Sequence, residues 1–179
     1  KRFNLDPKRF GAAGESSGGH LTALLATTSD TKEFQKHPVT QKASSAIQAA
    51  SPWCGPTDFL KLNDVKASQD YSNPRSAPSR LVGKPIKQAP EKCKQANPIT
   101  YVTKDDPPCF IVHGDRDFVV PLNQSELLHA ALEKAGVPST LHVVKGGEHG
   151  FSKLTPANDE IIKKVMKFFD RQFKPEGER

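Results

Sequence analysis

The chain has 179 residues and a formal charge of +6, with 35% hydrophobic and 26% charged residues. That make-up suits one globular domain with a sizeable core, and no apolar run approaches the ~20 residues a membrane-spanning helix needs. The cations are mostly Lys and scattered. They lack the Arg-rich or aromatic-interleaved stripe of a nucleic-acid binder and read as a solvated face.

In chain order, "RFGAAG" (9–14) is short, apolar and glycine-ended, the pattern of a buried strand. "SGGHLTALLATTS" (17–29) follows as a helix, with Leu21, Leu24 and Leu25 at helical spacing. "AIQAASPW" (46–53) reads as a second strand, ended by the turn residues "GPTD". Residues 55–106 are rich in Pro, Asn, Ser and Lys and form a long excursion, with short helices expected near 58–62 and 88–97. "PCFIVHG" (108–114) is a third strand, and "NQSELLHAALEKAG" (123–136) an amphipathic helix stopped by Gly136 and Pro138. "STLHVVKG" (139–146) is a fourth strand. "NDEIIKKVMKFFDRQF" (158–173) is a final helix, with Ile161, Ile162, Val165, Phe168, Phe169 and Phe173 expected toward the core. This alternation predicts an α/β fold: a mostly parallel sheet of about four strands flanked by helices, in a single domain spanning 1–179.

Gly14-Glu15-Ser16-Ser17-Gly18 fits G-x-S-x-G with Ser16 at its centre. A nucleophile held on a sharp strand-to-helix turn takes strained backbone angles, and its neighbours two residues away must be small. The N–H of Ser17 would then lie at a helix N-terminus, where it can stabilise an oxyanion. A phosphate loop is a poorer fit, because His20 and Leu21 stand where Lys and Ser/Thr are required. No G-x-G-x-x-G is present, and no cofactor is expected. A plain glycine-rich helix cap is the competing reading of this stretch.

A serine nucleophile needs a base, and the base needs an acid to orient it. In "IVHGDRDFVVP", Asp117 follows the third strand by a short loop and is the preferred acid. Asp115, two residues nearer the strand, and Asp58 in "GPTDF" are the alternatives. In "VVKGGEHGFSK", His149 lies on a loop with Gly146, Gly147 and Gly150, and is the preferred base. His20, His37, His113, His129 and His142 sit in helices, strands or a polar loop and fit less well. Cys54, Cys93 and Cys109 form no C-x-x-C, and no Cys/His cluster has ligand spacing, which argues against a metal. Their odd number allows one disulfide and one free thiol, and Cys109, inside an apolar run, reads as a buried thiol.

Taken in order, "GESSGGHL", "HGDRDFVVP" and "GGEHGF" resemble the α/β-hydrolase esterase/lipase family, in particular bacterial carboxylesterases of the feruloyl- or acetyl-esterase-like group. "GPTDF", "ANPITYV" and "DDPPCFIVHG" extend the resemblance over nearly the whole chain. It implies Ser16 as nucleophile, Asp117 as acid and His149 as base, in a two-step acyl transfer on a small ester. It also implies strands before the nucleophile strand, and an upstream H-G-G type loop that supplies a second oxyanion donor. Here only 15 residues precede Ser16, and "HG" occurs only at His113-Gly114 and His149-Gly150. The expectation is a C-terminal portion of a larger hydrolase, with a targeting segment removed or the chain begun partway into a gene. Its unpaired apolar edge would be covered by that missing N-terminal segment or by a second copy. The competing functions are a prolyl-oligopeptidase-type serine peptidase and a catalytically weak fragment acting as an assembly module. Ser17, where those peptidases usually carry an aromatic residue, favours the esterase.

Overall fold

A computed structural model describes residues 5–29, 31, 34, 44–151 and 155–174, the last without the side chains of 155–158. Four parallel strands, β1 (Gly11–Glu15), β2 (Ala49–Trp53), β3 (Cys109–Gly114) and β4 (Ser139–Val144), lie in the order β1-β2-β3-β4. The helices are α1 (Ser17–Thr27), α2 (Ala77–Val82), α3 (Pro90–Ala96), α4 (Asn123–Ala135) and α5 (Thr155–Phe173). Short 3-10 turns occur at Phe59–Lys61, Ile86–Gln88, Pro98–Tyr101 and His149–Phe151.

The period-2 alternation of β3 sorts its side chains between two cores. Cys109 and Ile111 pack with Ala23 and Ala26 of α1 and Leu128 and Leu132 of α4. Val112 joins Val144, Phe151, and Ile161 and Val165 of α5, and Phe110 packs against that same group. The α/β layering predicted from the alternation of patterns is therefore the observed one. Gly136 ends α4 in a left-handed conformation with φ 79, and its N–H and that of Val137 close onto Glu133 and Leu132 carbonyls.

Two expectations about burial, for β1 and for α5, need correction. The first strand is not buried: among the described residues β1 is an edge strand, paired only with β2, and Gly11, Ala13 and Glu15 are exposed. Helix α1 buries its alanines more deeply than its leucines, of which Leu24 and Leu25 are half-buried. Ala23 and Ala26 are buried, while Leu21 is 62% exposed. The cause is close approach: a Cβ on Gly19 would run into the Trp53 carbonyl, so no side chain fits where α1 meets β2 at that point. On α5, Ile161 and Val165 are buried and Phe168, Phe169 and Phe173 half-buried, but Ile162 is 50% exposed. One residue is about 100° of helical rotation, enough to carry Ile162 off the face that Ile161 buries.

The 55–106 excursion has a small core of its own, built from Phe59, Leu62, Tyr71, Val82, Ile86 and Cys93. Helix α2 within it was not expected from periodicity. Its signals are local: the Ser76 hydroxyl accepts from Ser79 N, and Gly83 closes the helix with φ 79. All three cysteines are free and buried, so no disulfide forms.

Candidate active site

Ser16 ends β1 and begins α1, with φ 55 and ψ −119. Its backbone is pinned from both sides: its N–H donates to the Trp53 carbonyl at 2.9 Å, and its carbonyl accepts from His20 N at 2.9 Å. A Cβ on Gly14 would collide with the Gly18 backbone and lie 2.8 Å from Thr22 Oγ1, so only glycine fits there. The other motif glycine is less constrained than expected. A Cβ on Gly18 meets nothing within 4 Å among the described residues, and the tight contact falls to Gly19. Ser16 occupies the N-cap of α1 but its side chain makes no capping bond. The hydroxyl instead lies 2.9 Å from His149 Nε2.

Beyond β3, the loop that carries Asp117 and the loop that carries His149 clip together. Asp115 Oδ1 accepts from Gly146 N at 2.6 Å, and Arg116 N donates to the Gly147 carbonyl at 2.9 Å. Gly114 and Gly147 touch so closely that a Cβ on Gly114 would enter the Gly147 backbone. Asp117 comes next. Its Oδ1 accepts from Val119 N and Val120 N at 2.9 and 2.8 Å, leaving Oδ2 to face His149 Nδ1 at 2.7 Å. His149 thus bridges Ser16 and Asp117. It sits on the turn His149–Phe151, where Gly150 has φ 73 and Phe151 φ 55. Glu15 lies against this turn, its Oε1 2.6 Å from where a Gly150 Cβ would be. Ser17 is the first residue of α1, and first-turn amides have no acceptor within their own helix.

The rival acids are engaged elsewhere. Asp58 caps the turn Phe59–Lys61, its Oδ1 accepting from Leu60 N at 3.1 Å and Asn97 Nδ2 at 2.9 Å. Asp115 is committed to Gly146. His20 is buried, stacked on Phe59, with Nδ1 2.9 Å from the Pro56 carbonyl. His37 lies outside the described residues.

Burial alone would raise the Asp117 carboxyl. Hydrogen bonds from His113, His149 and Val120 N outweigh it and hold the group down at about 2. His149 is pushed well above the ordinary imidazole value, first by its bond to Asp117 and then by Cys54, with burial opposing. Neither His113 nor Cys54 stood out as a site residue in the motifs. His113 is fully buried, with Nε2 2.8 Å from the Val120 carbonyl and Nδ1 2.7 Å from Ser125 Oγ. Cys54 directly follows β2, has φ 38, and clusters with Asp117 and His149. Its legible signal is position, since ligand and catalytic groups of open α/β sheets gather beyond the carboxyl ends of strands. Among the described residues, the three non-glycine residues with positive φ, Ser16, Cys54 and Phe151, all belong to this one corner, where backbone strain commonly accompanies function.

A parallel, helix-flanked sheet with a serine on the turn from strand to helix, met by an aspartate and a histidine from loops after later strands, is the architecture of an α/β-hydrolase. Residues 1–132 match the BD-FAE family, and the chain belongs to that group of α/β-hydrolase esterases. It is 36% identical over 126 residues to "Probable carboxylic ester hydrolase LipM" of Mycobacterium tuberculosis, covering 69% of this chain and 27% of that protein. It is 29% identical over 169 residues to "Esterase LipQ" of the same organism, covering 93% of this chain and 38% of that one. Among solved structures it resembles a truncated form of carbohydrate esterase from gut microbiota, with a TM-score of 0.81 and 32% identity. That match covers 96% of this chain and 62% of the other. The chain therefore spans between about a quarter and two fifths of the length of these two curated relatives.

Proposed function

We propose that this chain carries the reacting residues of a serine carboxylesterase acting on short acyl esters, with Ser16 as nucleophile, His149 as base and Asp117 as acid. The observation that carries the reading is the position of His149, 2.9 Å from Ser16 Oγ and 2.7 Å from Asp117 Oδ2. Likeness to proteins named as esterases supports the substrate class. We read 1–179 as one catalytic domain unit.

The chemistry follows from the donors and acceptors. Asp117 accepts a hydrogen bond from Nδ1–H, which keeps the proton on Nδ1 and leaves Nε2 free to take the proton of Ser16 as its oxygen attacks the ester carbonyl. Ser17 N–H points its dipole toward the oxyanion that forms. Loss of one such donor costs roughly 100- to 1000-fold in turnover. His149 returns the proton to the departing alcohol, then activates the water that cleaves the acyl-enzyme. The open edge of β1 is where a further strand pairs, from additional chain or from a second copy.

The test is labelling with a fluorophosphonate probe followed by peptide mapping. Stoichiometric modification at Ser16, lost in Ser16→Ala, supports the reading. A folded chain that stays unlabelled removes it. Hydrolysis of nitrophenyl acetate against a peptide anilide then separates esterase from peptidase. Sedimentation over a range of concentrations reports whether a second copy covers β1.

A further inference from the structure

Cys54, Asp117 and His149 come from the ends of three different strands, yet their ligand atoms all lie within 4.8 Å of one another. Their sequence spacing gives no hint of this, being 63 and then 32 residues. We propose that this cluster is a binding site for a thiophilic divalent cation such as Zn2+, and that the bound ion holds the hydrolase in an inactive state. The inhibitory role rests on the proposed function of Ser16 and His149. The binding site does not.

The donor set is that of a zinc centre: one thiolate, one imidazole nitrogen and one carboxylate oxygen, with a fourth position left for water. Tetrahedral zinc with bonds of about 2.0–2.3 Å spaces its ligands roughly 3.3–3.7 Å apart. Asp117 Oδ2 and His149 Nδ1, now 2.7 Å apart, would open by under about 1 Å once the proton between them is replaced. The element that moves is suited to it. His149 rides a turn flanked by Gly146, Gly147 and Gly150, and its side chain is 21% exposed, giving the ion an entry path. The other two ligands are held firmly. Asp117 is fixed through Oδ1 by two backbone N–H groups, and Cys54 N donates to the Val112 carbonyl at 2.8 Å.

The buried thiol of Cys54 also sets the preference. A site with a thiolate selects Zn2+ and Cd2+ over Mg2+ and Ca2+, which favour all-oxygen shells. Binding releases the thiol proton of Cys54 to solvent, while the Nδ1 proton of the neutral His149 ring moves to Nε2, the nitrogen that faces Ser16. With its ring nitrogen ligated or its ring turned, His149 no longer accepts from Ser16. The bound state is therefore off-pathway, and removal of the ion restores the base.

The experiment is titration of the metal-free chain with Co2+, followed by displacement with Zn2+. The expected result is a thiolate-to-cobalt charge-transfer band that saturates at one ion per chain and is abolished by Zn2+. Cys54→Ser and His149→Ala should each weaken binding by more than about tenfold, since loss even of a supporting group at such a site costs 10- to 100-fold. Cys93→Ser and Cys109→Ser should keep the band. Ser16→Ala should bind Co2+ normally while losing probe labelling, which separates failure of the catalytic reading from failure of this one. Circular dichroism of each variant establishes that it is folded. No charge-transfer band in the folded chain, or a band that survives in Cys54→Ser, overturns the site. Tight Zn2+ binding that leaves probe labelling of Ser16 undiminished overturns the inhibitory role.

Discussion

His113 Nε2 lies 3.3 Å from Asp117 Oδ2, the same oxygen that faces His149 Nδ1 at 2.7 Å. The Val120 carbonyl, 2.8 Å away, can only accept, so Nε2 of His113 carries a proton. The Ser125 hydroxyl then donates to Nδ1. One buried N–H is thus shared between a carbonyl and the acid. On the proposed reading His113 is a positioning residue: it ties the loop of Asp117 to Ser125 of α4 and helps keep Asp117 ionised.

Replacing His113 by Phe keeps a ring but removes both hydrogen bonds. A bond to a charged group contributes about 1.5–3 kcal/mol, which converts to a loss of roughly 10- to 100-fold in kcat. KM should change little. His113→Gln, which can still donate, should recover part of the loss. A purely structural role would lower stability in both variants without this rescue, so kinetics and urea melts on the two variants together decide the matter.

The pH profile of ester turnover follows from His149. The base works only when unprotonated, and its pKa is raised above the ordinary 6.5 by the bond to Asp117, then by Cys54. The rising limb of kcat/KM should therefore lie on the alkaline side of 6.5. A carboxylate partner stabilises the imidazolium, so Asp117→Asn should move the limb to lower pH while lowering the plateau. Cys54→Ala should move it the same way. Asp117 itself, at about 2, should add no limb between pH 4 and 9. The profile is to be measured with chelator present.

Ser16 is strained and caps nothing, which makes its stability effect unusual. An N-cap serine normally costs about 1 kcal/mol when replaced by Ala. Here Ser16→Ala should be close to neutral, because no capping bond is lost. Ser16→Gly should be more stable than Ser16→Ala by roughly 1–3 kcal/mol, through relief of the positive φ. Both should be inactive. Denaturant midpoints of the three chains test the ordering.

The two glycines of the motif should separate. Gly14→Ala forces a methyl into the Gly18 backbone and should cost about 1–3 kcal/mol with loss of activity. Gly18→Ala meets open space among the described residues and sits inside α1, so it should stabilise by up to about 1 kcal/mol. Equal destabilisation in thermal melts would show that the elbow tolerates neither.

The covalent order of the chain determined a good deal. Strand and helix periods are local properties, so the four strands, α1, α4 and α5 were legible from 9–14, 17–29, 46–53, 108–114, 123–136, 139–146 and 158–173. That Ser16, Asp117 and His149 stand on loops after strands, with glycine or turn chemistry beside each, was legible too. Tertiary structure decided what those patterns leave open. Which face of α1 is buried depended on how near Gly19 comes to Trp53, a distance no period encodes. That Asp58 caps a turn while Asp117 meets His149 depended on the clip between Asp115, Arg116, Gly146 and Gly147. The placement of His113 and Cys54 at the site arose in the same way. Their roles come from neighbours far along the chain, and such neighbours exist only once the sheet has ordered its strands.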